Sequence, residues 1–262
     1  MPITRTQHEA VAVLAIDMGR GNAINHTFID ALGAALGELE RDPEVRALVL
    51  TGHGRAFCAG LDLVESYDLD RSAVERFVDA FDGLFARVAA FPWPAVAAIN
   101  GHAIAGGCII AMATDYRLMS PGPFRIGVNE VALGIPFPSA AFEIARRGAP
   151  PSAWAEALFE GRLYRPDEAR GAGLIHEVAT SDLLSEAVGV ARRLSSGAPG
   201  ALRATKAELV APLLAAIEAN REARRARFLE AWSGGELRER VGRVREELLR
   251  KSAPPTEPGA GI

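Results

Sequence analysis

The sequence has few of the residues that mark several large classes of protein. Its 262 residues include only two cysteines, Cys58 and Cys108, and no group of Cys and His at zinc spacing, which argues against a disulfide framework and a zinc site. The net charge is −4, so the chain has no excess of the basic residues that bind nucleic-acid phosphates. The longest apolar run, residues 103–113, is far short of the ~20 residues of a membrane-spanning helix. We therefore expect no metal, no nucleic-acid partner and no membrane segment.

The familiar nucleotide and hydrolase motifs are also missing. Phe57 stands where a dinucleotide-binding fingerprint starting at Gly52 needs its third glycine, and neither a P-loop nor a GxSxG motif occurs. The amino-terminal residues show no charged segment followed by a long apolar run, so they do not resemble a signal peptide. Together with the scarcity of cysteine, these absences lead us to expect a protein of the reducing cytoplasm.

What the sequence does contain is a recurring unit of short strands, a glycine-rich turn and a helix. Apolar positions three or four residues apart predict the helices, one of which follows an Asn25 cap. Short apolar runs bounded by turn residues predict the strands. The predicted strands include residues 11–16, 45–50, 95–99 and 116–119.

The pattern changes after about Pro138, where strands nearly vanish and helices are predicted to the end. This change predicts an α/β protein with a mixed core at residues 1–195 and a helical region at residues 196–251. Residues 252–262 are rich in Pro and Gly, and we expect them to form a disordered tail.

The segment around Gly60 is the first that could carry chemistry. Ala59 and Gly60 are small enough for the backbone to approach a ligand closely, which would leave the N–H of Leu61 pointing outward. The alternative is an ordinary strand-to-helix turn capped by Asp62, and the segment taken alone favours that alternative.

The glycines at 106 and 107 open an apolar helix and form the second such segment. The amide of Gly106 is a candidate anion donor because the first N–H groups of a helix have no partner within it. The alternative is close packing of a buried helix, which also requires glycine. Cys108 lies at the same helix start, where its pKa could be lowered. Because no His or Asn partner is identifiable, a small buried side chain is the favoured interpretation.

Glu130 is the third feature, since it lies among apolar residues. A carboxylate in such surroundings is desolvated, which raises its pKa and suits a general base near neutral pH. The alternatives are an exposed loop glutamate or a helix cap. Two backbone donors and one carboxylate form a coherent set, because the donors can hold an enolate oxygen while the carboxylate moves the neighbouring proton.

Three motifs in this order and spacing resemble those of the crotonase superfamily, the enoyl-CoA hydratases and isomerases. AFCAGLDL at residues 56–63 resembles the first oxyanion-hole and CoA-binding segment of that family. Residues 98–120, AINGHAIAGGCIIAMATDYRLMS, resemble its second oxyanion-hole segment. IGVNEVALGIPFP at residues 126–138 resembles its catalytic-glutamate segment. The similarity extends over roughly residues 10–250.

The resemblance implies a role for each matching position. Leu61 and Gly106 would supply the two oxyanion-hole N–H groups, and Glu130 would be the catalytic base. Ala59, Asp62 and Leu63 would line the path of CoA, and Phe228 would contact it. The resemblance implies no cofactor, because CoA enters as part of the acyl-CoA substrate. The expected fold is the ββα spiral core of the crotonases, followed by a helical trimerisation region that forms a homotrimer or a dimer of trimers.

Two positions depart from the pattern of the family. Hydratases of this family usually have a second glutamate where this chain has Ile109, whereas the motif set GLDL, AGGC and GVNE is especially like that of the Δ3,Δ2-enoyl-CoA isomerases. Glu247 stands where a CoA-binding lysine is expected, so the residues that hold the phosphates stay open. The arginines of residues 221–227 alternate with glutamates, which predicts a solvated helix face.

These observations favour a Δ3,Δ2-enoyl-CoA isomerase with one glutamate base. An enoyl-CoA hydratase is the alternative, and a non-catalytic acyl-CoA binder is a third possibility that the retained Glu130 argues against. The acyl chain is not identified by the sequence. Candidate residues for its pocket are Phe77, Phe81, Phe137 and Phe142.

Overall fold

The computed structural model describes residues 2–252, in which nine strands form two sheets. The strands are β1 (Ile3–His8), β2 (Val11–Ile16), β3 (Ala47–Gly52), β4 (Ala56–Cys58), β5 (Ala95–Ile99), β6 (His102–Ile104), β7 (Tyr116–Met119), β8 (Ile126–Gly127) and β9 (Glu177–Val178). Six of them form one sheet in the order β1-β2-β3-β5-β7-β9, in which only the β1–β2 pair is antiparallel. The other three form a parallel sheet in the order β4-β6-β8.

Ten α-helices in residues 2–252 surround the two sheets. They are α1 (His26–Arg41), α2 (Leu63–Tyr67), α3 (Arg71–Ala89), α4 (Gly106–Ala113), α5 (Glu130–Leu133), α6 (Ser139–Gly148), α7 (Pro166–Gly171), α8 (Leu183–Leu194), α9 (Pro199–Ser233) and α10 (Gly235–Ser252). The predicted helix at residues 152–159 is instead a short 3₁₀ turn, Pro151–Ala153, followed by a π turn, Ala155–Phe159. Two prolines begin this segment, with Pro151 at the first position of the 3₁₀ turn, where the N–H that proline lacks would have no partner within the helix.

The chain alternates between the two sheets and thereby builds the predicted ββα spiral. Each of β3, β5 and β7 lies in the large sheet, and each is followed by a short strand of the small sheet and then by a helix. Strands β2, β3 and β5 of the large sheet are almost fully buried, as their largely apolar sequences predict for strands covered on both faces. The prediction of a mixed α/β core is therefore confirmed.

The last two helices pack against the same chain rather than standing apart from it. Phe228 and Trp232 of α9 and Val241 of α10 form an apolar cluster with Val74 and Val78 of α3. The side chains of Leu213 and Ile217 of α9 are buried in the main core of this chain. The predicted tail began at Ser252, which is the last residue of α10, and residues 253–262 lie outside the described part of the chain.

The arginines of α9 do not form a purely solvated face as predicted. Arg224 pairs with the buried carboxylate of Glu143 at 2.8 Å and lies over the Phe142 ring. Arg225 pairs with Asp79 of α3 at 2.9 Å. The alternation of charge along the sequence does not reveal these contacts, because the partners come from α3 and α6.

Candidate active site

The three chemical segments leave the small sheet at the same edge. Leu61 follows β4, Gly106 follows β6 and Glu130 follows β8, and these strands are parallel neighbours. The carboxyl ends of parallel strands lie together, as they do at the ligand-binding edge of open α/β sheets. The topology therefore brings together residues that are 45 and 24 positions apart in sequence.

The backbone around Leu61 is held by a bridge to Ile24. The N–H of Ile24 donates to the Gly60 carbonyl at 2.7 Å, and the N–H of Asp62 donates to the Ile24 carbonyl at 2.9 Å. In a parallel bridge these bonds use the residues on either side of Leu61, so the Leu61 N–H points away from Ile24. Asp62 also caps α2, because its carboxylate accepts from the N–H groups of Val64 and Glu65. The helix cap at Asp62 and the outward-pointing N–H of Leu61 are therefore both present, so the two interpretations of this segment are compatible.

The Gly60 and Gly106 backbones approach each other closely. Gly60 has φ +86°, and a Cβ there would lie 2.8 Å from the Ile104 carbonyl oxygen and 3.3 Å from the Gly106 nitrogen. A Cβ at Gly107 would overlap the carbonyl oxygen of Cys58. Glycine at these positions therefore lets the two loops that carry the predicted donors come into contact.

Ala105 holds the start of α4 in a strained conformation. Its φ of 50° and ψ of −123° are unusual for a residue with a side chain, and its N–H donates to the Gly127 carbonyl at 2.8 Å. Gly106 is the first residue of α4, so its N–H has no partner within the helix. Backbone strain of this kind costs on the order of 1–3 kcal/mol and is concentrated at functional sites.

Glu130 is buried, with 7% of its surface exposed. Removal of the carboxyl group from water raises its pKa to about 7, an effect only partly offset by a hydrogen bond from its own backbone N–H. The Oε2 atom is buried without a hydrogen-bond partner among the described residues. Of the alternatives left open by the sequence, an exposed loop glutamate is therefore wrong.

One cavity of about 870 Å³ joins these groups. All seven residues predicted to form the site line it, namely Ala59, Leu61, Asp62, Leu63, Gly106, Glu130 and Phe228. Ile109 also lines the wall, so an apolar side chain stands where the family's hydratases usually have their second glutamate. Glu247 and Leu248 of α10, which are exposed, also line the cavity.

The predicted acyl-pocket aromatics separate into two groups. Phe77 and Phe81 of α3 line the cavity, and a Cβ on Gly106 would lie 3.2 Å from the Phe81 ring. Phe137 and Phe142 line a different, smaller pocket beside α9. The prediction fails for the second pair because the chain turns at Pro138, between them, into α6.

Both cysteines are buried and unreactive in character. Burial raises the pKa of the Cys58 thiol to about 12 and raises the pKa of Cys108 as well. A lowered pKa at the start of α4 is therefore wrong for Cys108, and the small buried side chain is confirmed. Within residues 2–252, the structure has no cluster of His, Cys, Asp and Glu that could hold a metal ion, and no helix there is long and apolar enough to cross a membrane.

Sequence reasoning missed three contributors to the site. Ile24 holds the Leu61 segment through a backbone bridge, and a Cβ on Gly106 would lie 3.0 Å from the Ile24 Cδ1 atom. Val244 of α10 lines the cavity. Asn129 lines the cavity beside Glu130, and its Oδ1 atom is buried without a partner among the described residues. Only Asn129 gave a sequence signal, because asparagine directly before a short helix usually serves as its cap.

Comparisons with known proteins agree with this geometry. Residues 6–247 match the family model described as enoyl-CoA hydratase/isomerase. The short-chain-enoyl-CoA hydratase of Clostridium acetobutylicum is 33% identical over 199 residues, which are 75% of this chain and 76% of that protein. The crystal structure of human mitochondrial Δ3,Δ2-enoyl-CoA isomerase superposes with a TM-score of 0.89 at 25% identity, covering 97% of this chain and all of that one. An enoyl-CoA isomerase of Mycobacterium tuberculosis has a TM-score of 0.78 at 33% identity over 87% of this chain and 99% of that one.

Proposed function

This chain belongs to the enoyl-CoA hydratase/isomerase family, and on that premise we propose that it is a Δ3,Δ2-enoyl-CoA isomerase. The choice of reaction rests on the carboxylates that line the cavity, because only one of them is buried. Three carboxylates line the cavity, and Glu130 alone of the three is buried; Asp62 caps α2 and Glu247 lies exposed on α10. Ile109 adds only hydrocarbon. One buried carboxylate suffices to move a proton between two carbons.

In the proposed reaction the thioester oxygen of a 3-enoyl-CoA accepts hydrogen bonds from the Leu61 and Gly106 N–H groups. Glu130 removes a proton from C2, and the electron pair of that C–H bond delocalises into a dienolate whose oxygen faces the two donors. Glu130 then returns the proton at C4, which moves the double bond to C2–C3. No atom is gained or lost.

The electrostatics suit each step of this reaction. A carboxyl group whose pKa lies at about 7 is a stronger base than an ordinary glutamate and is still largely ionised slightly above neutrality. A single oxyanion-hole donor typically contributes about 10²–10³ in rate, and both donors here are main-chain amides on tightly packed loops. We also propose that backbone groups of Ala59, Asp62 and Leu63 contact CoA, and that Phe228 packs against it.

The second candidate is an enoyl-CoA hydratase. The relative from Clostridium acetobutylicum is named as one and is 33% identical to this chain. A non-catalytic acyl-CoA binder is a weaker candidate, because a buried, unpartnered carboxylate destabilises the fold and needs a functional reason.

A paired assay tests the isomerase proposal. Purified protein is given 3-hexenoyl-CoA and 2-hexenoyl-CoA in separate reactions, with acyl-CoA binding measured in parallel. We expect 3-hexenoyl-CoA to become 2-hexenoyl-CoA, and Glu130→Gln to abolish this turnover while binding changes little. Near-normal turnover by Glu130→Gln would refute the mechanism, and binding without turnover of either substrate would favour the binder.

We further propose that the protein forms a homotrimer or a dimer of trimers through its helical region, residues 196–251. Leu209 of α9 leaves 59% of its surface exposed, so the helical region presents a large apolar side chain that a contact between subunits would bury. Light scattering after size-exclusion chromatography measures the mass directly, and a monomer mass would refute the proposal.

A further inference from the structure

Asp82 of α3 is a buried carboxylate that binds the start of a different helix. Only 4% of the residue is exposed. Its Oδ1 atom accepts hydrogen bonds from the N–H groups of Ala140 and Ala141, at 2.6 and 3.1 Å. These two amides belong to the first turn of α6, where backbone N–H groups have no partner within their own helix. Asp82 therefore caps α6 from α3.

The sequence of α6 explains why the cap comes from another helix. Pro138 occupies the cap position, and proline has no side-chain oxygen that could accept a hydrogen bond. The hydroxyl of Ser139 is engaged elsewhere, because it donates to the Ile217 carbonyl at 2.6 Å. Burial raises the pKa of Asp82 although the amides of α6 and the charge of Arg221 oppose the shift, so keeping this carboxylate in the core is costly.

A short, stiff segment joins the start of α6 to Glu130. Pro136, Phe137 and Pro138 are the only residues between Ile135 and α6, and proline fixes the backbone φ at two of these three positions. The Ile135 N–H donates to the Glu130 carbonyl at 2.9 Å. A displacement of the first turn of α6 would therefore reach the turn that carries Glu130.

The same helix that supplies Asp82 also packs beside the second proposed oxyanion-hole donor. Phe81 directly precedes Asp82 and lines the cavity, and a Cβ on Gly106 would lie 3.2 Å from the Phe81 ring. α3 thus contacts the start of α4 through one residue and holds the start of α6 through the next. The position of the Glu130 segment relative to the Gly106 amide therefore depends on α3.

We propose that Asp82 is a positioning residue for the isomerisation, which keeps Glu130 in place and shielded from water by holding the start of α6. The inference rests on the proposed function, in which Glu130 is the base. Asp82 is not among the described residues that line the cavity, so it acts through α6 and the segment 136–138 and not on the substrate. Without its carboxylate, the first turn of α6 loses two hydrogen bonds, and Glu130 becomes more hydrated and less well placed.

The first test measures the isomerisation of 3-hexenoyl-CoA by Asp82→Ala over a range of pH. We expect kcat to fall about tenfold or more, because small displacements of a catalytic group are costly in rate. The inflection of kcat/KM, expected at about pH 7 in the wild type, should move to lower pH by about 0.5 unit or more, because hydration lowers the pKa of Glu130. Asp62 and Glu247, the other charged residues that line the cavity, stay unchanged in this variant.

The shift of the inflection separates positioning from a general loss of structure. A smaller folded fraction lowers the apparent kcat but does not change the pKa of Glu130 in the molecules that remain folded. Asp82→Asn keeps an acceptor oxygen at the same place and should restore most of the rate and the inflection. Asp79→Ala is the matched control, because it removes a carboxylate of the same helix that pairs with Arg225 of α9 at 2.9 Å. It should leave the inflection unchanged.

Pro136→Gly tests the connecting segment without altering Asp82. Pro136 is not among the described residues that line the cavity, and glycine removes the restriction on φ at this position. The variant should move the inflection in the same direction as Asp82→Ala. It also provides the test if Asp82→Ala does not fold.

A thermodynamic cycle tests the same link without any measurement of activity. Urea unfolding at pH 8 gives the stability that Glu130→Gln adds to the wild type and to Asp82→Ala or Pro136→Gly. We expect this gain to shrink by about half or more in either variant, because Glu130 is already partly hydrated there. An inflection that stays in place, together with an undiminished gain, would overturn the inference. If Glu130→Gln keeps its turnover, the proposed function fails, and the cycle still decides whether Asp82 shields Glu130.

Discussion

Replacement of Glu130 by glutamine is expected to stabilise the protein at alkaline pH while it removes activity. Burial raises the pKa of this carboxyl group in the folded protein from 4.5 to about 7, and unfolding returns it to water. Between these two values the folded state keeps a proton that the unfolded state releases. The free energy of unfolding therefore falls as pH rises from 4.5 to 7, and above 7 the ionised Glu130 costs the fold its full penalty.

The size of this penalty follows from the two pKa values. At about 1.36 kcal/mol for each pH unit, the difference corresponds to roughly 3 kcal/mol. Glutamine has nearly the same shape and no charge, so Glu130→Gln should differ from the wild type by less than about 1 kcal/mol at pH 5. At pH 8 the variant should be more stable by roughly 2–3 kcal/mol, a large part of the stability of an ordinary domain.

Urea unfolding of both proteins at pH 5 and pH 8 measures the difference. Glu38→Gln serves as the matched control, because Glu38 is exposed on α1 and its carboxylate stays in water in both states. If Glu130→Gln changes stability by the same amount at the two pH values, the carboxyl group is not desolvated as the structure indicates, and the argument for its basicity fails with it.

The remaining predictions concern catalysis and the two loops. For the isomerisation of 3-hexenoyl-CoA, kcat/KM should rise through pH 7 as Glu130 loses its proton and level off above pH 8; a profile that is flat from pH 5.5 to 8.5 would contradict this. Gly107→Ala should destabilise the protein by at least about 2 kcal/mol in urea unfolding, because the new methyl group would overlap the Cys58 carbonyl, which belongs to a strand and cannot yield easily. Ala105→Gly should stabilise it by up to about 1 kcal/mol, the relief of backbone strain exceeding the added entropy of the unfolded chain, and a measured loss of stability would show that φ 50° is not strained here.

The identity of the site residues could be read from the sequence because each has a local signal. Small residues at Ala59 and Gly60, paired glycines at the start of a helix and a glutamate among apolar neighbours each report on their own immediate surroundings. Strands β2, β3 and β5 of the large sheet were predictable for the same reason, since five or six consecutive residues that are mostly apolar leave few alternatives. β3 is displaced by only two residues from its predicted position.

The meeting of these segments was not predictable from such patterns. β4, β6 and β8 have only two or three residues each, which is too short for alternation to appear, yet their parallel pairing is what brings the three groups to one edge. The sequence pattern also does not show which elements a helix face packs against. Leu213 and Ile217 face the core of their own chain, and Phe142 faces Arg224, because the partners come from elements far away in sequence.

The division of labour between main chain and side chain has a consequence for how this reaction centre can change over evolution. The two groups assigned to the carbonyl oxygen are peptide amides, which every residue type except proline provides, so substitution alters them only by disturbing the path of the loops. The group assigned to the proton is a single side chain, that of Glu130 after β8, which one base change can replace. The main-chain amides that activate the thioester therefore persist as long as the loops keep their path. The side chain that moves the proton can instead change by a single substitution.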